Sequence, residues 1–378
     1  MQVKREINWV PTLFLTIYQT LLIVTLPFYF YYNTPSLSLL LISFVLLYAT
    51  GLSITAGYHR YYAHKTYKTN KFMETILLFF GAMTAQGSAL RWGFDHRIHH
   101  AYVDTDQDPY NINNGFLYAH CTWIIDKPRP IDSKVVPDLL KNKLVMLQHN
   151  HIGKSIILTN FIAFFAVGWL LNDFLGSFFI ALWLRMFALH HFTWFINSLA
   201  HIWGDKPFSQ EQTAVDNYFL AMLTFGEGYH NYHHTFANDY RNGIRWFQFD
   251  PTKWLLWTLN KIGLVHSLKR TDPITIKKRM VIEHKNLLLE RLKEAWHTKK
   301  EEIEKQVHEI SDQILEKIQV FNQLKVQYKQ VKEEKASHDL IKHLKDEIKN
   351  LNKSIKEDLR LMKELTYTIM NPSKASFA

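Results

Sequence analysis

Residues 37–67, LSLLLISFVLLYATGLSITAGYHRYYAHKTY, decide how this chain folds. The part from Leu37 to Gly57 is apolar and long enough to cross a hydrocarbon core of about 30 Å as a helix. His59 and His64 follow it at once. Working outward, Thr12 to Tyr32 is a second apolar run of this length, and Asn33, Thr34 and Pro35 between the two make a turn. The chain therefore returns to the side from which it started. Met1 to Trp9 is short and basic through Lys4 and Arg5, and no small-residue cleavage site follows the first apolar block, so it reads as cytosolic and not as a signal peptide. Further on, Ser155 to Leu171 and Phe174 to Ala200 form another hairpin, with Asn172 and Asp173 at its turn. Ile76 to Ala85, bounded by Glu74 and Gln86, has only about half the ~20 residues of a span and reads as interfacial or re-entrant. With that parity, the segments from Tyr58 to Gly153 and His201 to Arg270 lie on one side as a cap.

The expected architecture is an all-α integral membrane protein. A body of residues 1–272, with four spans at about 12–32, 37–57, 155–171 and 174–200, carries a cytosolic helical cap, and a separate region follows at 273–378. Composition agrees with this division: the 378 residues are 15% aromatic, and the mean hydropathy of −0.15 averages an apolar first half with a charged tail. A single cysteine, Cys121, excludes an intramolecular disulfide and a cysteine zinc site. The net charge of +10 suits an anionic membrane surface or a phosphate-bearing substrate as well as a nucleic acid.

The chemistry is carried by histidine. His59 and His64 are five residues apart, about 140° of rotation on an α-helix, so the pair would grip one metal poorly and could instead feed two. His96, His99 and His100 in DHRIHH stand at i, i+3 and i+4, on one helical face, and His230, His233 and His234 in EGYHNYHHTF repeat the spacing. His201, in INSLAH, ends the fourth span with Asn197 one turn before it. Ordinary interfacial histidines are the bland alternative, and His149, His151, His190 and His191 show that the chain has others to spare. Two HxxHH repeats and a pair on one side of the membrane are harder to explain that way, because clustered neutral imidazoles need partners for their ring nitrogens. Imidazole suits zinc, copper, iron and nickel alike, so spacing alone leaves the metal open.

The runs GLSITAGYHRYYAHKTY, DHRIHH, NSLAH and GEGYHNYHHTF followed by DY resemble the membrane stearoyl-CoA desaturase family from about Leu52 to Arg270, with DTDQDPYN, KLVMLQ and FDPTK as supporting runs. In that family nine histidines hold two irons and an asparagine reaches one metal through water. The resemblance assigns these roles here to His59, His64, His96, His99, His100, His201, His230, His233, His234 and Asn197. It also implies four transmembrane helices under a cytosolic cap.

The reaction implied is removal of two hydrogens from an unactivated methylene pair of a fatty acyl chain, typically at the ninth carbon, with dioxygen and two external electrons. No side chain can act as a general base on such a C–H bond, so a metal-generated oxidant is required. A bent apolar tunnel would fix which carbon reacts, with Trp194 as a wall and Leu47, about three turns before His59, facing its far part. The family binds coenzyme A at the cap, and the matching or neighbouring positions are Trp92, Asp95 and Lys127; Phe94 departs from the animal pattern, in which arginine precedes the aspartate. Lys127 and Arg129 in DKPRP suit phosphates or lipid headgroups.

Fungal relatives often carry a fused haem domain of the cytochrome b5 type with a HPGG run. These 378 residues contain none, so a separate electron donor, cytochrome b5 or ferredoxin with its reductase, is expected. The other expected partners are a fatty acyl-CoA, dioxygen and the lipid bilayer, and no nucleic acid. Location would be the endoplasmic reticulum membrane in a eukaryote or the inner membrane in a bacterium, with cap and both termini cytosolic. Competing readings are an acyl-lipid desaturase, a di-iron membrane hydroxylase, whose clusters usually lack the NSxxH element, and a non-enzymatic membrane metal-binding protein. A transporter site would instead be expected near the bilayer midplane.

All fourteen glycines occur by Gly263, and Ile274 to Asn371 contains neither glycine nor proline, so the tail should be almost wholly helical. Apolar residues from Ile303 to Val331 keep a heptad register that slips near Lys335 to Asp339 and resumes from Ile341 to Ile369. A coiled coil with a discontinuity or an antiparallel helical hairpin results, with oligomerisation or tethering, and not redox, as its expected use. The tail's His284, His297, His308, His338 and His343 read as surface residues.

Overall fold

The computed structural model describes residues 6–294, 299–335 and 337–370. They divide into two compact units, one of residues 1–206 with 211–270 and the other of 207–210 with 271–378.

The first unit is helical, and among its described residues four helices are long and apolar enough to cross a membrane: Trp9–Tyr32, Leu37–Ala63, Ile152–Leu171 and Phe174–His201. We label Trp9–Tyr32 α1. The second span is α2, Leu37–Leu52, continuing as a π-helix, Ser53–Ala63. Ser36 caps α2 by accepting from the Leu39 amide, which fixes where the helix restarts after the turn. The spans start up to three residues earlier than their apolar runs, and the second and fourth run on to Ala63 and His201. These ends are polar in sequence yet helical because they are buried under the cap.

α3, Lys71–Ala82, is capped by Asn70 and is shorter than a span. It lies against the π-helix so closely that a Cβ on Gly81 would stand 2.4 Å from the Tyr58 ring. α4, Ala89–Tyr102, carries DHRIHH and is capped by Ser88. Ile54, Tyr58, Leu90, Phe94, Ile98, Leu139 and Val145 form the core that binds this helix to the π-helix. The third span is α5, Ile152–Leu171, ended by Asn172 in the left-handed conformation at φ 49°. The fourth contains a second π-helical stretch, Ser177–Leu184, followed by α6, Arg185–Asn197.

Tyr29, Leu39, Val167, Ile180 and Ala181 pack the spans together. Outward-facing Val10, Ile23, Phe28, Val45, Phe161 and Leu170 are exposed, as lipid-facing residues are. The unit closes with α7, His230–Thr235, and α8, Pro251–Lys261. One departure from an all-helical chain is a small antiparallel pair, β1 (Lys68–Thr69) and β2 (Val265–His266), with Lys68 opposite His266.

Among the described residues the second unit holds three helices, where the sequence suggested a single seam of one or two: α9 (Pro273–Glu294), α10 (Lys300–Glu333) and α11 (His338–Met370). Ion pairs set their directions. Lys317 meets Asp358 at 2.6 Å, so α10 and α11 are antiparallel about the turn that contains Lys335 at φ 53°. Lys285 meets Asp312 at 2.8 Å and His284 meets Thr366 at 2.8 Å, so α9 runs against α10 and along α11. The register slip is thus this turn. The heptad positions Val307, Ile314, Phe321, Ile355, Met362 and Ile369 share their core with Val281, Leu288 and Leu292 of α9. His284 is half-buried and bonded to Thr366, a correction to its reading as a surface residue; its place in α9 faces α11. His297 lies outside the described residues.

Candidate metal centre and adjoining cavity

Nine histidines converge in two groups, each with its ligand atoms within 4.8 Å of one another: His59, His64, His96, His100 and His233 in one, and His99, His201, His230 and His234 in the other. Helix geometry explains the division. The π-helix closes i→i+5 hydrogen bonds, and the His64 amide donates to the His59 carbonyl at 3.0 Å. Residues five apart therefore share a face, and the pair enters one group, where an α-helix would have turned it apart. On α4 and α7 the i and i+4 histidines go to one group and the i+3 histidine to the other, in opposite senses. His96 and His100 join the first group as His99 crosses over, whereas His230 and His234 join the second as His233 crosses. His100 and His234 stack at 4.2 Å between ring centroids, where the groups adjoin.

Several outer nitrogens meet groups that fix their protons. Glu227 lies 3.0 Å from Nδ1 of His59 and Asp108 lies 2.9 Å from Nδ1 of His99, so each carboxylate favours the proton on Nδ1 and faces it as an acceptor. Thr213 donates its hydroxyl hydrogen to Asp104, so at 2.7 Å it accepts from Nδ1 of His201. Tyr110 meets Nδ1 of His96 at 3.1 Å. Burial, with neighbouring histidines adding to it, pushes the pKa of His64, His96, His100, His230, His233 and His234 well below 6.5, so these rings are neutral.

Inward, every ring presents Nε2, and these atoms meet at 2.8–3.2 Å: His64 with His96 at 2.8 Å, His59 with His233 at 2.9 Å, His99 with His234 at 3.2 Å. Where Nδ1 holds the proton, Nε2 is a lone pair, and lone pairs packed this closely need a cation between them. The donor set, all imidazole and backed by carboxylates, fits a pair of divalent transition metals.

Behind the first group, Arg60 is fully buried between Glu227 at 2.9 Å and Asp250 at 3.0 Å, and also donates to the Tyr240 carbonyl at 2.6 Å. Burial alone would raise the pKa of Glu227, but His59 and Arg60 hold it below the usual carboxylate range. Glu227 therefore stays an anion and an acceptor for His59. Sequence reading passed over Glu227, Asp108, Arg60, Asp250, Thr213 and Asp104. The first two sit in the quoted runs GEGYHNYHHTF and DTDQDPYN, so their carboxylates were visible; what was missing was the fold that aims them.

A cavity of about 510 Å³ opens beside the centre, lined among others by Phe14, Leu15, Ile54, His59, Trp92 and Trp194. Its outer part is charged, with Arg91, Asp95, Asp126, Lys127 and Arg129. Lys127 is exposed and paired with Glu6 at 2.6 Å, which marks the solvent end, whereas buried His59 marks the inner end. Of the residues expected to touch substrate, Trp92, Asp95, Lys127 and Trp194 line this cavity, as does Asn197; Leu47 is half-buried on α2 and is not among the lining residues.

Trp92 stacks on His96 at 4.9 Å. Buried Trp194 stacks on His190, and the Gln86 amide donates to the Thr193 hydroxyl at 3.0 Å beside it. Arg91 binds Asp95 through Nε at 2.8 Å and lies over the Phe94 ring, so a guanidinium reaches this aspartate from one turn earlier although Phe94 replaces the arginine next to it.

Four helices long and apolar enough to cross a membrane, with nine imidazoles gathered in two buried groups suited to metal, define a multi-pass membrane protein of the metal-binding class. The sequence pattern described as Fatty acid desaturase matches residues 36–267. The chain belongs to the fatty acid desaturase family. It is 39% identical over 297 residues to "Probable acyl-CoA desaturase" of Schizosaccharomyces pombe, covering 76% of this chain and 60% of that protein. It is 38% identical over 250 residues to "Acyl-CoA desaturase 1" of Saccharomyces cerevisiae, covering 65% of this chain and 49% of that protein. To "Delta(9)-fatty-acid desaturase fat-6" of Caenorhabditis elegans it is 34% identical over 235 residues, covering 60% of this chain and 69% of that protein. The chain thus spans 60% and 49% of the two yeast relatives.

Proposed function

We propose that this protein is an oxygen-dependent acyl-CoA desaturase that places a cis double bond at the ninth carbon of a saturated acyl chain, for unsaturated fatty acid biosynthesis. The observation that carries the reading is the joining of two all-histidine groups to a cavity that is charged at its solvent end and largely apolar beside the histidines. In this reading His59, His64, His96, His100 and His233 hold one iron, and His99, His201, His230 and His234 hold the other, with Asn197 reaching one of the two through water. Two iron ions there would supply the redox chemistry by which dioxygen removes two hydrogens from an unactivated methylene pair, two electrons and two protons entering from outside and two waters leaving.

The protein's own part is positional. Trp92 and Trp194 hold the acyl chain so that one methylene pair faces the histidines, and the aromatic and aliphatic walls keep bulk water from it. Glu227, Asp108 and Thr213 keep Nδ1 protonated, and so keep Nε2 free for metal. At the solvent end Lys127, Arg129 and the Arg91–Asp95 pair receive the carrier; the cations meet phosphates, and the planar guanidinium offers two parallel donors. Electrons come from a separate donor such as cytochrome b5 or a ferredoxin with its reductase. The acyl-CoA names of the relatives support the carrier, and the Delta(9) name of the nematode protein supports the position.

Expression in an unsaturated-fatty-acid auxotroph, followed by fatty acid analysis, tests this. Growth with cis-9 monoenes is the expected result. Hydroxy acids would mark a hydroxylase, and a double bond elsewhere would leave the reaction standing but move the position.

A further inference from the structure

We infer that the outer face of α11 is a docking surface for the anionic headgroups of a bilayer. Lys342, Lys345, Lys349, Lys353, Lys356, Arg360 and Lys363 are all exposed. At about 100° per residue they fall within an arc of about 80°, and their 21-residue reach makes a straight stripe of about 32 Å. No acid shares that arc. Asp339, Asp346, Glu357 and Glu364 lie on one flank of it, and Glu347 and Asp358 lie further round.

Only Lys353, 3.9 Å from Glu357, and Arg360, 3.2 Å from Glu364, reach an acid across that boundary. The other five cations have no ion pair among the described residues. α10 is different over its first half, where Glu301, Glu302, Glu304 and Glu309 stand with Lys305 and Lys305–Glu309 is paired; its second half has a shorter like-charge run, Lys325, Lys329 and Lys332, with Lys329 paired to Glu333. Like charges three and four residues apart destabilise an isolated helix. A face that merely met solvent would have no reason to gather seven of them on one line, and the first half of α10 mixes both signs instead.

The stripe fits a flat anionic surface. It is straight, and between Lys342 and Lys363 it carries no aromatic residue on which a nucleic acid base could stack. Exposed Tyr367 stands just past its end, an amphipathic ring of the kind found at membrane interfaces. The chain that carries the stripe also carries four helices able to cross a membrane, so a bilayer is the one anion tethered to it at a fixed effective concentration. Docking there would lay the second unit on the lipid surface.

The test uses the full chain reconstituted in vesicles of phosphatidylcholine with and without phosphatidylglycerol, which has no amine to compete for label. A water-soluble amine reagent is applied, and modification of Lys349 and Lys356 is followed by mass spectrometry against Lys305 and Lys329 of α10. At about a kilocalorie per lysine near an anionic surface, the stripe should label roughly fivefold or more slowly in the anionic vesicles, with the controls unchanged. High salt should erase the difference. Equal labelling in both vesicles overturns the proposal, and so does protection that appears only when an acidic protein or an RNA is added.

Discussion

At the scale of single residues, the division of labour is between nitrogens of the same ring: Nε2 faces inward, and in His59, His99, His201 and His96 Nδ1 meets a carboxylate, a hydroxyl or a phenol on the outer side. His99→Ala removes one of four ligands from the second group, and His233→Ala one of five from the first. Either should abolish desaturation while the protein still inserts in membranes, and metal analysis should show iron per chain falling from about two toward one. Unchanged iron with full activity would take both residues out of the site.

Asp108→Asn keeps the shape but removes the anion that fixes His99. Roughly 10- to 100-fold weaker metal binding is expected, read by competition with a chelator. The histidines themselves were legible from spacing alone, because HxxHH repeats have few other uses. Their outer partners were not, since Asp108 lies nine residues from His99 and Glu227 lies 168 residues from His59, and nothing in one sequence says which of many carboxylates folds back.

At the scale of elements, the π-helix is where sequence reasoning turned the wrong way. An α-helical reading set His59 and His64 about 140° apart and suggested that they serve different metals. The i→i+5 ladder puts both in the same group. Local sequence gives little warning of it, because SITAGYHRYYA is unexceptional for a helix and the wide turn is held by burial of nearly every residue in it. One alanine inserted after Tyr61 should turn His64 away from His59 and cost the first group a ligand. The expected result is loss of activity with iron falling toward one per chain, while the second group's metal remains; iron staying at two would show that the π-helix does not set the register. The four spans were the easiest elements to read, because apolar length is a direct physical requirement of a bilayer. The tail's helices were legible but not their number. The apolar positions of α9, such as Val281 and Leu288, carry the same period as the seam they join, and only the ion pairs across the bundle reveal a third helix.

At the scale of the whole molecule, all nine clustered histidines and every residue lining the cavity belong to the first unit. A chain ending at Arg270 should therefore retain iron and single-turnover desaturation when reductant is supplied; loss of that chemistry in a protein that still holds two irons would give the helical tail a part in the reaction.

On the proposed function, these histidines hold an iron pair that desaturates an acyl chain. Purified full-length protein loaded with iron should be supplied with stearoyl-CoA, dioxygen and an electron-transfer chain, and its acyl products separated and identified by mass spectrometry alongside an iron determination. The expected result is about two irons per chain and a cis monounsaturated acyl product formed with oxygen consumption. An iron-loaded, folded protein that consumes no oxygen with the substrate, or that yields only hydroxylated acyl chains, would contradict it.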